Sequence, residues 1–355
     1  MRLFLCHFRC AFLILQANDW RSSMNDKTYR IAFFGSDEIA LPFLRSIHDE
    51  SRIASISAVL TQPDRRAGRG RQLRQNPIKA WALEQALPIR DPSKPASEET
   101  EWLKSLEIDL VIVMAYGHIL KRDLLEVAPS GCFNLHASLL PAFRGASPIE
   151  TALAMGERET GVTLMRVVPR MDAGPVVDVE RVAIEGDDTG QTLRAKLARS
   201  CVPLMDRNLS SLLAGEADEV AQDEALATYC RKLTKLDGAL DFRAPAETLV
   251  HRIQAFRFWP GSFFTFKDQR IRIGKSTVGN LASKLVPGEV GRDTEGNFCI
   301  GTGRDGLLVE ELQKPGGKML PTPDFLRGFE IPGGSILQSE SMPDLLVSRK
   351  SNSKE

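Results

Sequence analysis

The amino-acid sequence predicts an α/β protein in which a doubly wound, mostly parallel sheet is followed by a small β-barrel. Two observations carry this. From Arg30 to about residue 213, apolar runs alternate with helical stretches, the pattern of strands joined by helical crossovers. Beyond an acidic stretch at 214–224, short strand segments crowd together with turn residues between them, the pattern of a small barrel. The 355 residues are 43% hydrophobic and 26% charged, which is enough apolar material for two cores.

The elements follow in order. Ile31-Ala32-Phe33-Phe34 runs into Gly35-Ser36-Asp37, a strand, a turn and the start of a helix over 38–48. A second strand fits 53–60, and helices fit 77–86 and 98–106. The run from Asp109 to Ala115 is apolar on both faces, as a strand buried between helix layers must be. Another strand fits 132–136. Ligands of such sheets sit beyond the carboxyl ends of the strands. After Gly161 come strands at 162–168 and 176–184 and an amphipathic helix at 189–213. Residues 215–233 read as a linker between a first domain at 29–214 and a second at 234–338. The second holds a helix over 246–256, ending at Trp259-Pro260-Gly261, and short strands at 262–266, 270–274, 288–292, 298–301 and 307–312. The polar residues 339–355 read as a disordered tail.

Residues 1–28 are foreign to this pattern. Their apolar run is too short for a membrane span. A signal or transit peptide fits it less well than a misplaced start codon ahead of the polar Met24-Asn25-Asp26-Lys27. Lys+Arg 46 balances Asp+Glu 46, so net charge names no partner. The six cysteines contain no CxxC, which argues against a disulfide framework or a metal site and for a reducing, cytoplasmic setting. Gly35-Ser36-Asp37 lacks the G-x-G-x-x-G pattern, so no dinucleotide is inferred.

Three segments can carry chemistry. Asn134 and His136 are two apart in a predicted strand, which puts both side chains on one face at the end of an apolar sheet. An amide can donate to a developing oxyanion, and an imidazole can do the same or handle the proton of an attacking amine. The competing reading is a strand end whose polar groups cap the next turn. Asp172 lies in the turn Pro169-Arg-Met-Asp172-Ala-Gly174-Pro, where Asp is common for backbone reasons. Spacing alone does not bring it to His136. The loop from Thr61 to Lys79 carries Arg65, Arg66, Arg69, Arg71, Arg74 and Lys79 against the single acid Asp64, and Gly68 and Gly70 would keep it flexible. It reads either as a hook for phosphates or as a solvated surface loop.

Taken together these segments resemble the methionyl-tRNA formyltransferases, within the 10-formyltetrahydrofolate-dependent formyltransferases. The likeness rests on Asn134-x-His136 followed by Ser138-Leu139-Leu140-Pro141 and Arg144-Gly145, on Ala115-Tyr116-Gly117-x-Ile119-Leu120 ahead of it and on Met171-Asp172-Ala173-Gly174 after it. It covers residues 30–334. Two features resemble the tRNA-directed branch: the loop Gln62-Pro63-Asp64-Arg65…Ala67-Gly68-Arg69-Gly70, and the region around Gln254-Ala255-Phe256…Trp259-Pro260-Gly261. The resemblance implies a Rossmann-like formyltransferase domain and a C-terminal OB-like β-barrel. It implies catalysis by Asn134, His136 and Asp172, and a folate pocket lined by Ser138, Leu139, Leu140 and Pro141. It further implies tRNA contacts from Arg65, Arg66, Arg69, Arg71 and Arg74, and no metal. The substrates implied are 10-formyltetrahydrofolate and initiator methionyl-tRNA, acted on by a cytoplasmic monomer that does not enter the membrane. Ala137, Ala142-Phe143 and Arg66 depart from the usual pattern and leave loop geometry open. A sugar-nucleotide formyltransferase and a formyltetrahydrofolate hydrolase share the chemistry, but neither needs the arginine loop.

Overall fold

The computed structural model describes residues 27–67 and 72–348. The expectations for the N-terminal extension, for Arg69 and Arg71, and for the last residues of the tail lie outside these. In chain order the first domain carries β1 (Tyr29–Gly35), α1 (Leu41–Glu50), β2 (Ala54–Leu60), β3 (Arg65–Ala67), β4 (Gln72–Arg74), α2 (Pro77–Glu84), β5 (Ile89–Arg90), α3 (Ser97–Ser105), β6 (Leu110–Met114), α4 (Arg122–Leu125), β7 (Cys132–His136), β8 (Arg144–Gly145), α5 (Pro148–Ala154), β9 (Glu159–Arg166), β10 (Val176–Ala183) and α6 (Gly190–Ala214).

Seven of these strands form one sheet in the order β10-β9-β7-β6-β1-β2-β5. The strands β5, β2, β1, β6 and β7 run parallel, and β9 and β10 extend one edge with antiparallel pairings. The wholly apolar β6 explains the layering. Leu110, Ile112 and Met114 enter the core on one face of the sheet, and Val111 and Val113 enter the core on the other. A strand with two buried faces needs this composition and needs helices on both sides. Strand order reverses between β6 and β1, which opens a crevice at their carboxyl ends. Side chains fix the helix starts: Asn76 accepts from Lys79 N at the start of α2, and Thr189 accepts from Thr192 N at the start of α6.

The second domain follows β11 (Tyr229–Cys230) and begins with α7 (Ala246–Ala255), which packs in its core. Its strands β12 (Phe263–Phe266), β13 (Gln269–Gly279), β14 (Val290–Arg292), β15 (Phe298–Gly301) and β16 (Gly306–Gln313) form a curled antiparallel sheet in the order β12-β13-β16-β15-β14. The two ends of that order meet through residues 334–338: Ile336 bridges Glu289 and Gln338 bridges Thr265. The core runs from Leu240 to Leu337 and includes Phe242, Phe264, Ile271, Phe298 and Leu307. Strand β13 extends five residues beyond the expected end at 274, because it pairs with β16 through Gly279.

Two expectations need correction. The acidic segment after α6 is not a free linker. Val220 forms a two-bond bridge with Val176, Glu219 takes Arg166 in an ion pair, and Tyr229–Cys230 pairs with β8. Nor is the tail disordered up to residue 348. Leu345 is buried in the first domain's core, and β18 (Leu346–Val347), the last strand after β17 (Leu320–Pro321), pairs antiparallel with β11. Composition marked both segments as polar. Their few apolar residues nevertheless find apolar partners, and their polar residues find partners across the fold. Among the described residues no helix is long and apolar enough to cross a membrane.

At the junction of the domains Asp237 is fully buried and accepts from Arg231 at 2.9 and 2.5 Å and from Thr234 N at 2.6 Å. Burial alone would raise the Asp237 pKa, but these bonds outweigh it and hold the carboxyl below its ordinary value. Its contribution is therefore fully present above the unfolded value and is lost as pH falls through the folded one. Asp237→Ala should lower stability by about 1–3 kcal/mol in denaturant titrations at neutral pH, since Arg231 is left with only the Asp344 and Lys232 carbonyls. The difference from the parent should shrink toward pH 3. A constant gap across that range would count against this pair as an acid-labile clamp.

Candidate active site

The carboxyl end of β7, next to the point where the strand order reverses, carries two of the polar residues singled out in the sequence. On β7, Phe133 and Leu135 point into the core on one face, while Cys132 packs in the core on the other. Asn134 and His136 share the face of Cys132 by strand alternation and stand beyond the end of that core. Asn134 is half-buried, and its carboxamide makes no hydrogen bond to another described residue. His136 is 7% exposed. Its Nε2 lies 3.0 Å from the Phe143 carbonyl, which can only accept, so Nε2 carries the proton. The exchangeable position is then Nδ1, which faces Asp172 Oδ2 at 3.8 Å.

The turn before β10 therefore does meet the imidazole. Asp172 sits in the left-handed region at φ 47°, and its Oδ2 accepts from Gly145 N at 2.8 Å. Gly145 itself adopts φ 115°, and a Cβ there would lie 2.2 Å from the Cys230 carbonyl oxygen. Only glycine fits β8 against β11 at this point. Residues 143 and 145 thus hold His136 and Asp172 respectively.

Between them lies Arg144, fully buried. Its guanidinium donates to Gln222 Oε1 at 3.0 and 2.7 Å, to Glu224 at 2.9 Å and to the Tyr229 hydroxyl at 3.0 Å. Burial opposes the charge, but the bonds to Glu224 and Tyr229 outweigh it and raise the pKa. Glu224 also pairs with Arg170, two residues before Asp172. Gln222, Glu224 and Tyr229 escaped the sequence reading because their segment resembled a linker. The only available signal was Arg144 itself, a charged residue between two site positions.

The loop 138–142 is rigid. Ser138 is wholly buried, with its hydroxyl donating to Ala142 O at 2.6 Å and its carbonyl accepting from Thr163 Oγ1 at 2.6 Å. Leu140 N donates to the same Thr163 oxygen at 3.0 Å, and Leu140–Pro141 is a cis bond. Ser138 thus has no side-chain atom left to reach a ligand, whereas Leu139, Leu140 and Pro141 are partly accessible. The neighbouring loop turns at Gly117, φ 73°, where a Cβ would lie 2.7 Å from Gln62 Nε2, and that amide donates to Tyr116 O at 2.5 Å.

Gln62 also begins the basic segment, which is a β-hairpin and not an irregular loop. Arg65 stands directly opposite Arg74, and Arg66 opposite Leu73. Like charges across a strand pair repel, so this arrangement gains when an anion lies over it. Asn76 anchors the hairpin's foot, accepting from Thr61 Oγ1 and donating to Gln62 O. Lys79 does not belong to the basic surface: it is held by Asp64 at 2.7 Å and Asp91 at 2.8 Å. His118 lies close by, its pKa lowered by burial and then by Arg65.

The remaining titratable groups limit the chemistry. Burial pushes the thiols of Cys132 and Cys230 up to about 12, so neither is a thiolate nucleophile near neutral pH. Among the described residues no cluster of three or more His, Cys, Asp or Glu could hold a metal ion. What the site offers is a free amide, an oriented imidazole and a carboxylate.

Gly145→Ala tests the arrangement. It should lower stability by at least about 1–3 kcal/mol from the backbone conformation alone and reduce turnover, because it shifts the N–H that holds Asp172. Thermal melting beside single-turnover rates checks both. A variant as stable and as fast as the parent would remove Gly145 from the site.

The formyl transferase family matches residues 29–207, and the formyl transferase C-terminal domain family matches residues 232–330. A methionyl-tRNA formyltransferase of Methylococcus capsulatus is 41% identical over 308 residues, covering 86% of this chain and 98% of its own. One of Hydrogenovibrio crunogenus is 37% identical over the same coverage. In fold, the chain resembles WlaRD, a sugar 3N-formyl transferase solved with dTDP and 5-N-formyl-THF, at TM-score 0.57 and 18% identity over 81% of this chain and 98% of that one. It also resembles HypX of Aquifex aeolicus in complex with tetrahydrofolic acid, at TM-score 0.57 and 15% identity over 91% of this chain and 51% of that one. The chain belongs to the formyl transferase family, grouping within it with the methionyl-tRNA formyltransferases.

Proposed function

We propose that this protein transfers the formyl group of 10-formyltetrahydrofolate to the α-amine of methionine carried on initiator tRNA. The observation that carries the proposal is the 3.8 Å approach of Asp172 to His136, with Asn134 on the same face of β7; the hairpin with opposed arginines supports it. The amine nitrogen attacks the formyl carbon, and the carbonyl oxygen takes up the charge. Asn134 donates to that oxygen from its unengaged carboxamide. His136 assists, held by the Phe143 carbonyl at Nε2 and facing Asp172 from its Nδ1 side. As the tetrahedral intermediate collapses, the bond to folate N10 breaks, N10 gains a proton and the amine loses one. Asp172 and His136 pass that proton through solvent.

Leu139, Leu140 and Pro141 are proposed to flank the folate, and Ser138 to support them from within the loop. Arg65, Arg66 and Arg74 of the hairpin, and Arg69 and Arg71 from the sequence between its strands, are proposed to bind the phosphates of the acceptor arm. A sugar-nucleotide acceptor, or water, leaves the hairpin without a role. The free thiols Cys132, Cys201, Cys230 and Cys299 fit a reducing cytoplasm, and we propose a monomer there.

Label transfer from 10-formyltetrahydrofolate to charged initiator tRNA, to a sugar nucleotide and to water distinguishes the readings. Transfer to tRNA at a rate well above the others is expected, and preference for either rival overturns the assignment. Asn134→Ala should fold and lose about 10²–10³ in rate, the usual loss for one oxyanion donor. Near-normal turnover in a folded variant would sink that role. Arg65→Ala and Arg69→Ala should weaken use of tRNA and each reduce the slope of log affinity against log salt by about one, with the KM for folate unchanged. Equal loss toward both substrates would point to a folding defect instead.

A further inference from the structure

We infer that Gln222, in the segment joining the two domains, is a positioning residue for Asp172. The inference rests on the reading of Asp172 as a member of the catalytic group. The Gln222 side chain uses its whole hydrogen-bonding capacity. Its Oε1 accepts two N–H groups of Arg144, at 3.0 and 2.7 Å. Its Nε2 donates to the carbonyl of Asp172 at 2.9 Å and to that of Gly174 at 2.7 Å. An amide has one end that accepts and one that donates, so the guanidinium and the two carbonyls fix its orientation without ambiguity.

Those two carbonyls flank Ala173, so the amide closes the turn from inside. Asp172 has a left-handed backbone at φ 47°, a conformation that Asp tolerates only when its surroundings hold it. The Asp172 carboxylate is anchored from one side by Gly145 N, and its backbone carbonyl is anchored from the other by Gln222. Gly145 follows Arg144 directly, and Arg144 is itself held by Gln222. One side chain therefore sets both supports of the carboxylate, and with them its 3.8 Å approach to His136. Gln222 stays in place because its own segment is tied down just before it. Val220 exchanges two backbone bonds of 2.8 Å with Val176, and Glu219 accepts from Arg166 Nε at 2.7 and 3.0 Å. The connection to the second domain thus reaches the catalytic turn directly.

The test compares kcat and KM of Gln222→Ala and Gln222→Glu, alone and with Asp172→Asn, using 10-formyltetrahydrofolate and charged initiator tRNA. Gln222→Glu keeps an acceptor for Arg144 and replaces the donation to the two carbonyls with oxygen–oxygen repulsion, so it serves where the alanine variant does not fold. A misplacement near 1 Å costs up to about a hundredfold in rate, so kcat should fall between about tenfold and a hundredfold while the KM for folate stays within about twofold. In the Asp172→Asn background the same changes should add little, because residues that act through one another are not additive. A folded Gln222→Glu protein with parental kcat, beside an impaired Asp172→Asn, overturns the inference. So does a full additive loss in the double variant. Parental turnover in Asp172→Asn alone instead overturns the catalytic reading of Asp172, and the inference with it.

Discussion

The guanidinium of Arg144 is the interaction on which the site depends. A fully buried cation is tolerable only when it is well paired, and here Gln222, Glu224 and Tyr229 give each of its three nitrogens a partner. The position of Arg144 in the chain gives this local requirement its reach. Its preceding carbonyl fixes the tautomer of His136, and its following N–H holds Asp172. The three partners come from one segment, residues 222–229, which crosses the domain boundary. Satisfying one buried charge thus shapes the approach of His136 to Asp172 and ties the segment leading to the second domain to it.

The rest of the site is built differently. Asn134 and His136 need no such network to be placed, because an apolar β7 between two cores leaves little freedom at its end. The loop 138–142 gains its rigidity from Thr163 on β9, which bonds both the Ser138 carbonyl and the Leu140 N–H. The basic hairpin stands apart from both. It is tied at its foot by Gln62 and Asn76, and it leaves opposed arginines facing outward. A rigid chemical site next to an extended cationic hairpin suits a small reacting group carried on a large polyanion.

The last strand among the described residues also reaches this region. Strand β18 adds to β11, and β11 pairs with β8, so the segment at 346–347 lies two strands from the N–H that holds Asp172. Leu345 adds an apolar anchor in the first domain's core. Polar composition hid both this strap and the grip of residues 219–224, because pattern reading scores segments by their average and these bind through single residues.

The sequence by itself determined the layered sheet, the second barrel and the placing of Asn134 and His136. Each follows from local periodicity: a two-faced apolar strand must be covered on both sides, and residues two apart in a strand must share a face. It also marked the basic segment, since charge is a property of composition, though not its pairing as a hairpin or the withdrawal of Lys79 into ion pairs with Asp64 and Asp91. Only the tertiary structure decided the meeting of His136 with Asp172, thirty-six positions later, and the roles of Arg144 and Gln222. These rest on contacts between segments 27 to 85 residues apart, set by how β8, the turn before β10 and the interdomain segment pack, and no local pattern encodes such distances.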